Sequence, residues 1–381
     1  MDLRDTPDEA AFRAELRDWL ETSLPAEKRG GRGGAQRFDD AFGREWSRTL
    51  YEAGYAGLTW PKEYGGAGAP YSFQAILYEE MARAQAPAHV GVIGLGMAGP
   101  TIMAHGSEAQ KQAHLAKILS AEEIWCQGFS EPDAGSDLAA ARTRAERRGD
   151  VYVVNGQKVW SSFAHIADYC ILVTRSDPDA PRYRNLTYLI VDMHAPGVEV
   201  RPLRQITGEA EFNEIFFNDV AVPVENRLGE EGEGWQVAMT TLLHERGTLG
   251  FALTAALESG VNRLLDLARD RVNGDEAARE RVAAEWIELQ ALRYTNYRSL
   301  GTYQRTGVPG PEGSAIKLRW SEQNQRMTKL ARELQGPEGI LDDGWWAYQQ
   351  LRSRGNTIEA GTSEVLRNIV AERVLGLPRS R

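Results

Sequence analysis

The sequence predicts an α+β protein in three parts: an N-terminal helical domain, a middle antiparallel β domain of barrel or sandwich type, and a C-terminal helical domain. Three observations carry this. Helical periodicity runs from residue 10 to about residue 120, short β-rich runs without intervening helices fill the middle, and helical periodicity returns after Gly234. The expected domains are therefore 1–122, 123–230 and 231–381.

In the first part, Phe12, Leu16 and Trp19-Leu20 recur at helical spacing, and Pro25 closes that helix. Gly30-Gly31-Arg32-Gly33-Gly34 reads as a flexible loop, 40–53 as a second helix, and Trp60-Pro61-Lys62-Glu63-Tyr64-Gly65-Gly66 as a turn-rich connection. Helices over 72–83 and 108–120 complete this part. The β-rich runs are 124–129, 150–154, 169–174, 185–191, 198–202 and 214–217, separated by Gly, Pro, Asn and Asp. The C-terminal helices are expected over 235–258, 261–272, 276–303, 311–335, 345–354 and 364–374.

Of 381 residues, 42% are hydrophobic and 26% charged, which suits a chain able to bury a large core without disulfides or structural metal. The net charge of −10 argues against nucleic acid or an anionic membrane as the main partner. Arg142, Arg144, Arg147 and Arg148 are mixed with Glu146 and run into Gly149-Asp150, the pattern of a solvated loop. The two cysteines, Cys126 and Cys170, sit in apolar surroundings and read as inert core thiols. The chain shows no signal-peptide pattern and no apolar run of membrane-spanning length, so a cytoplasmic location is expected.

Two patterns resemble sites without their context. Gly94-Leu95-Gly96-Met97-Ala98-Gly99 has the letters of a dinucleotide fingerprint, but Pro100 follows at once and no βαβ unit surrounds it. Close helix packing through small residues is the expected reading. His244-Glu245 begins like a zinc-protease motif, yet Thr248 stands where the second His belongs, and no metal site is expected.

The informative segment is Trp125-Cys126-Gln127-Gly128-Phe129-Ser130-Glu131-Pro132-Asp133-Ala134-Gly135-Ser136-Asp137, an apolar strand running into a Gly/Ser/Pro turn. Such a turn presents backbone N–H groups and small hydroxyls at little steric cost. Further on, Asn155-Gly156-Gln157-Lys158-Val159-Trp160-Ser161-Ser162 gives a turn and then an aromatic plate beside two hydroxyls, suited to flank a flavin ring. Singly, each piece is equally readable as a hairpin turn with a core Trp; together on a β domain between helical ones they are specific.

These segments closely resemble the acyl-CoA dehydrogenase family signature. So do the 60–66 segment, Asp219-Val220-Ala221-Val222-Pro223, and Gly361-Thr362-Ser363-Glu364 with Arg367-Asn368-Ile369 and Ala371-Glu372-Arg373. The resemblance covers nearly the whole chain, in order. It implies a C-terminal four-helix bundle, an FAD cofactor and an acyl-CoA substrate. Position by position, it implies that Gln127, Phe129 and Ser130 touch the isoalloxazine, that Trp160 flanks it, and that Ser162 bonds its N5/O4 edge. Ser136 and Arg246 would lie at the substrate, Thr362 and Glu364 at FAD. Arg271, with Gln335 and Gly339 of the 335–339 run, would hold the FAD of a neighbouring subunit.

Dehydrogenation needs a carboxylate to take the α-proton while the β-hydride goes to flavin N5, with electrons passed to electron-transfer flavoprotein. In much of the family the base directly precedes the Gly-Thr of the C-terminal loop, which here is Ala360; Glu359 lies one residue earlier. The family's other location, on the first long helix of the bundle, holds Glu245. Ala238, Leu242, Leu249 and Ala252 share its helical stripe, so a carboxylate there is either paired or functional. Glu245 is the expected base, with an Arg-paired structural Glu245 and a catalytic Glu359 as alternatives.

The family's usual Arg-x-x-Phe-Gly is here Arg271-Val272-Asn273-Gly274, without the aromatic. That departure makes an α2β2 assembly of two different chains an alternative to a homodimer or homotetramer. The version also resembles bacterial members of sterol and other catabolic clusters. A non-catalytic partner subunit and a flavin oxidase or monooxygenase on the same fold are the rival readings. The sequence does not choose among short, branched, aromatic and steroid-derived acyl groups, or between CoA and carrier-protein thioesters.

Overall fold

The computed structural model describes residues 4–29, 40–306, 310–341 and 343–379, without the side chains of 40 and 245–249. The expected glycine loop at 30–34 lies outside the described residues. The chain forms two compact units, one of Met1–Phe38, Ala69–Pro87 and Arg246–Arg381, the other of Asp39–Gly68 and Ala88–Glu245.

Local capping sets the first helices. Thr6 caps α1 (Pro7–Ser23): the Glu9 N–H donates to its hydroxyl at 3.3 Å, and its own N–H donates to the Glu9 carboxylate at 2.8 Å. α2 (Asp40–Glu52), α3 (Tyr71–Arg83), α4 (Gly99–His105) and α5 (Glu108–Ser120) follow, α5 with the same reciprocal cap from Ser107 and Gln110. The glycines at 94–99 lie in a helical turn leading into α4. A Cβ on Gly94 would stand 2.9 Å from Ile118 Cγ2, and one on Gly99 2.2 Å from Trp60 Cη2, so close packing explains both.

The β part is one sheet of β1 (Trp125–Gly128), β2 (Arg144–Arg148), β3 (Val151–Ser162), β4 (Tyr169–Arg175), β5 (Leu186–Asp192), β6 (Val198–Leu203), β7 (Phe212–Pro223) and β8 (Arg227–Leu228). Its order is β6-β7-β3-β2-β4-β5-β8, with β1 beside β4. Most pairs are antiparallel; β2 meets β4 in parallel at Arg144 and Arg175, and β1 runs parallel to β4, with Cys126 level with Cys170. The β2–β3 hairpin between them supplies the long connection that a parallel pair requires. Both cysteines are fully buried and free, and burial pushes the Cys126 thiol up, so it stays protonated.

Two local expectations are corrected. The 142–148 segment is not a loop: residues 144–148 form β2, with Ala145 buried and its arginines outward. One small apolar residue among charges leaves no visible alternation, and the partner strands supply the order. Asn155-Gly156 is not a turn but an irregularity inside β3, where Asn155 exchanges two bonds of 2.9 Å with Asp219 of β7.

The C-terminal helices are α6 (Gly234–Ala268), α7 (Glu276–Thr306), α8 (Glu312–Gln335), α9 (Pro337–Leu341), α10 (Trp345–Asn356) and α11 (Ser363–Ile369). The break expected near Gly260 does not occur. A Cβ there would lie 2.6 Å from Met327 Cε, so this glycine serves the packing of α6 on α8, and an interior glycine costs a helix only about 1 kcal/mol. Leu257, Val261 and Leu264 join Leu289, Trp320 and Met327 in the core of that unit.

Candidate active site

In the sheet-bearing unit, the outward residues of β3 are set by parity. Tyr152, Val154 and Lys158 point inward and are fully buried, but the next inward residue is Ser161, three positions on. The register slips between Lys158 and Ser161, and Trp160 adopts φ +61°. This bulge turns Trp160 outward, leaving it 57% exposed with its ring edge-on to Phe212 at 6.0 Å. A non-glycine residue in this conformation is strained, and such strain concentrates at functional positions. Ser162 pairs with Phe212 across β7.

Gln127 lies on β1, and its buried side-chain oxygen has no protein hydrogen-bond partner; the same holds for the Ser161 hydroxyl. Buried polar atoms without partners are rare in native proteins; the Gln127 oxygen is free to accept a hydrogen bond, whereas Ser161 lies on the inward face of β3. Phe129 is buried with its ring at 5.9 Å from Tyr188, and the Ser130 carbonyl accepts from Val159 N–H at 2.9 Å. The turn is closed by paired Glu131–Ala134 backbone bonds of 2.9 and 3.1 Å. Ser136 is exposed, next to Asp137, which pairs with Arg182.

The first turns of α6 are fastened to the same unit by hydroxyls. Thr241 bonds both Thr101 at 2.8 Å and the Tyr188 hydroxyl at 2.9 Å, all buried, and Thr240 bonds His105 at 2.9 Å. Glu245 follows Thr241 by one helical turn. The side chains of Glu245 and Arg246 lie outside the described residues. Burial, with His105 nearby, keeps His244 below the ordinary histidine range and therefore neutral at pH 7.

In the helical unit, Arg271 meets the 335–339 run. Its guanidinium donates to the Gln335 carbonyl at 3.0 Å and to the Glu338 carboxylate at 2.8 Å. Gly339 packs so closely that a Cβ would stand 2.8 Å from the Arg332 carbonyl. Thr362 caps α11, its hydroxyl accepting from Val365 N–H at 3.2 Å, while Glu364 is exposed. Ala360 sits at φ +50°. Glu359 is held by Arg352 at 2.9 and 3.2 Å and by the Asn356 amide at 2.7 Å. Both carboxylate oxygens are thus engaged.

Sequence reasoning missed the buried lysines that hold these loops. Lys158 reaches Glu131, and Lys317 of α8 donates to the carbonyls of Asn356 and Gly361, both at 2.7 Å. For Lys158 a signal existed, a charged residue on the inward parity of a strand; Lys317 gave none. Among the described residues, no cluster of three His, Cys, Asp or Glu suits a metal, and no helix is long and apolar enough to cross a membrane.

Helical, β and helical segments follow in this order, as the resemblance to a flavoprotein oxidoreductase family implied. Family models for the N-terminal, middle and C-terminal domains of acyl-CoA dehydrogenase match residues 6–122, 126–220 and 232–375. The chain belongs to the acyl-CoA dehydrogenase family and is an acyl-CoA dehydrogenase. Acyl-CoA dehydrogenase IpdE1 of Mycobacterium tuberculosis is 42% identical over 97% of each chain. Among solved structures, the Tcur3481-Tcur3483 steroid ACAD matches with a TM-score of 0.88 and 32% identity over 100% of both chains. The ChsE4-ChsE5 complex from Mycobacterium tuberculosis matches with a TM-score of 0.87 and 31% identity, also over 100% of both.

Proposed function

We propose that this chain carries out FAD-dependent α,β-dehydrogenation of an acyl-CoA thioester to the trans-2-enoyl-CoA, with Glu245 as the base. The observation that carries the assignment is at the alternative position. Ala360 has no carboxylate, and Glu359 is locked by Arg352 and Asn356, which leaves the base to α6. The hydroxyl bonds of Thr240 and Thr241 hold the turn of α6 preceding Glu245, the preorganisation that proton abstraction needs.

The chain's residues fit a flavin. The outward Trp160 offers a face for the ring, and the partnerless Gln127 oxygen offers an acceptor. Phe129, Ser130 and Ser162 would line the same ring, Thr362 and Glu364 would hold the remainder of FAD, and Arg271, Gln335 and Gly339 would reach the FAD of a neighbouring chain. Ser136 and Arg246 would meet the acyl-CoA. When bound, FAD supplies the acceptor for the β-hydride, and electrons then leave to electron-transfer flavoprotein.

We assign the substrate to the steroid-derived class. Two structural relatives are a steroid ACAD and a two-chain complex. Within the helical unit, a small cavity beside Gly250 and Phe251 of α6 is lined by Ala75, Leu300 and Ile316 together with Gln74, Tyr78 and Tyr303. Burial pushes the Tyr78 hydroxyl up to about 12, so it remains a neutral donor at physiological pH. The test is anaerobic flavin bleaching with a thioester panel: oxygenated cyclic acyl-CoAs are expected to bleach the flavin faster than butyryl- or octanoyl-CoA. Preference for the straight chains would overturn the substrate class.

The assembly we propose is with a second chain of the same fold. Ile287 and Tyr294 of α7, seven residues apart on the face opposite its own core, are 60% and 52% exposed, with Trp286 at 47% on the flank.

A further inference from the structure

A fully buried ion pair lies directly beneath the turn and bulge of the β unit. Lys158 is 0% exposed and Glu131 8%. The lysine ammonium donates to the Phe129 carbonyl at 3.0 Å and to the Glu131 carboxylate at 2.8 Å. Glu131 also accepts the backbone N–H groups of Arg142 and Thr143, at 2.7 and 2.8 Å. The next N–H along β3, that of Val159, holds the Ser130 carbonyl at 2.9 Å. Two consecutive residues of β3 therefore grip two consecutive carbonyls of the turn, and Trp160 with its left-handed backbone comes immediately after.

The room for this arrangement is specific. A Cβ on Gly128 would stand 2.5 Å from Leu172 Cδ1, 3.1 Å from Cys170 Sγ and 3.3 Å from Lys158 Cγ, so the lysine stem runs close beside this glycine. Burial draws the Lys158 ammonium below the ordinary lysine range against the pull of Glu131. Replacing a buried ion pair by apolar residues of similar volume is often neutral or stabilising, so stability does not account for its presence. Geometry does: no apolar pair can bind the Phe129 carbonyl and the two N–H groups at once.

We propose that Lys158, together with Glu131, is a positioning residue that fixes the 129–131 turn relative to the Trp160 bulge and so sets the spacing of the flavin-facing groups. The inference rests on the reading of these segments as the flavin site. It calls for Lys158→Met and the double variant Lys158→Met/Glu131→Leu in the full chain, with melting temperature, FAD titration and flavin absorbance measured for each. The single variant leaves Glu131 buried and unpaired and is expected to melt well below wild type. The double variant removes the unpaired charge but leaves the Phe129 carbonyl and the Arg142 and Thr143 N–H groups without these partners; it is expected to recover part of that loss, yet to bind FAD at least roughly tenfold more weakly and with an altered flavin spectrum.

A folded double variant with wild-type FAD affinity and spectrum overturns the proposal whatever its melting temperature, because the pair then does not set the flavin-facing groups. If neither methionine variant folds, Lys158→Gln decides: flavin affinity and spectrum equal to wild type overturn the proposal, and weaker binding by a folded protein supports it. Wild-type protein that takes up no FAD both alone and co-expressed with a second chain of the same fold overturns the flavin reading itself, an outcome distinct from failure of the positioning role.

Discussion

At Trp160 the backbone sits at φ +61°, a region that costs a residue with a Cβ about 1–2 kcal/mol, and the 57% exposed indole offsets little of this by packing. Trp160→Gly should therefore leave the melting temperature unchanged or raise it, while weakening FAD binding roughly tenfold or more if the indole flanks the ring. A variant that loses stability but keeps flavin affinity would contradict both halves. His89 shows the opposite case, a side chain whose chemistry serves the fold. Gly91 N–H donates to its Nδ1 at 2.9 Å, so the proton resides on Nε2, which faces the Leu119 carbonyl at 3.3 Å. Burial, against that carbonyl contact, holds the ring down to about 4. The unfolded chain takes up this proton first as pH falls. Stability is therefore fully present above about 6.5, declines between there and about 4, and loses roughly 3 kcal/mol from this group. Melting curves across that range should be flatter for His89→Asn than for wild type; equal slopes would exclude the assignment.

Among the elements, α6 is the one whose position matters to the chemistry, and Thr241 ties it to β5 through Tyr188 and to α4 through Thr101. Thr241→Val strands the buried Tyr188 hydroxyl, while Thr101 keeps its bond to the Met97 carbonyl, and should cost about 1–3 kcal/mol; a change under about 0.5 kcal/mol in denaturant titrations would mean that apolar packing alone seats the helix. Where an element's own residues determine it, the sequence revealed it. α1 and α5 carry reciprocal caps, and Trp160 announced an aromatic plate. β2 was illegible because five residues with one apolar member have no alternation, and its place comes from β3 and β4. The bulge that turns Trp160 outward was illegible too, since a register slip belongs to two strands and one strand's sequence cannot display it. Glu359 could be weighed as a base from sequence, but its capture by Arg352 and Asn356 depends on how α10 ends.

For the molecule as a whole, the exposed apolar residues of α7 point to assembly. Light scattering on the purified chain, alone and co-expressed with a second acyl-CoA dehydrogenase-fold subunit, should give a mass well above the 42.3 kDa of one chain; a monomer under both conditions would count against the proposed assembly. The central claim concerns what the complete protein does once flavin-loaded: it takes an α-proton with Glu245 and oxidises a thioester. Anaerobic mixing of wild type and Glu245→Gln with an acyl-CoA in deuterated buffer tests it most directly. The account predicts bleached flavin and α-deuterium exchange in the wild type, and bound but unbleached flavin with exchange lowered at least roughly a thousandfold in the variant. A Glu245→Gln protein that bleaches and exchanges like wild type would contradict it.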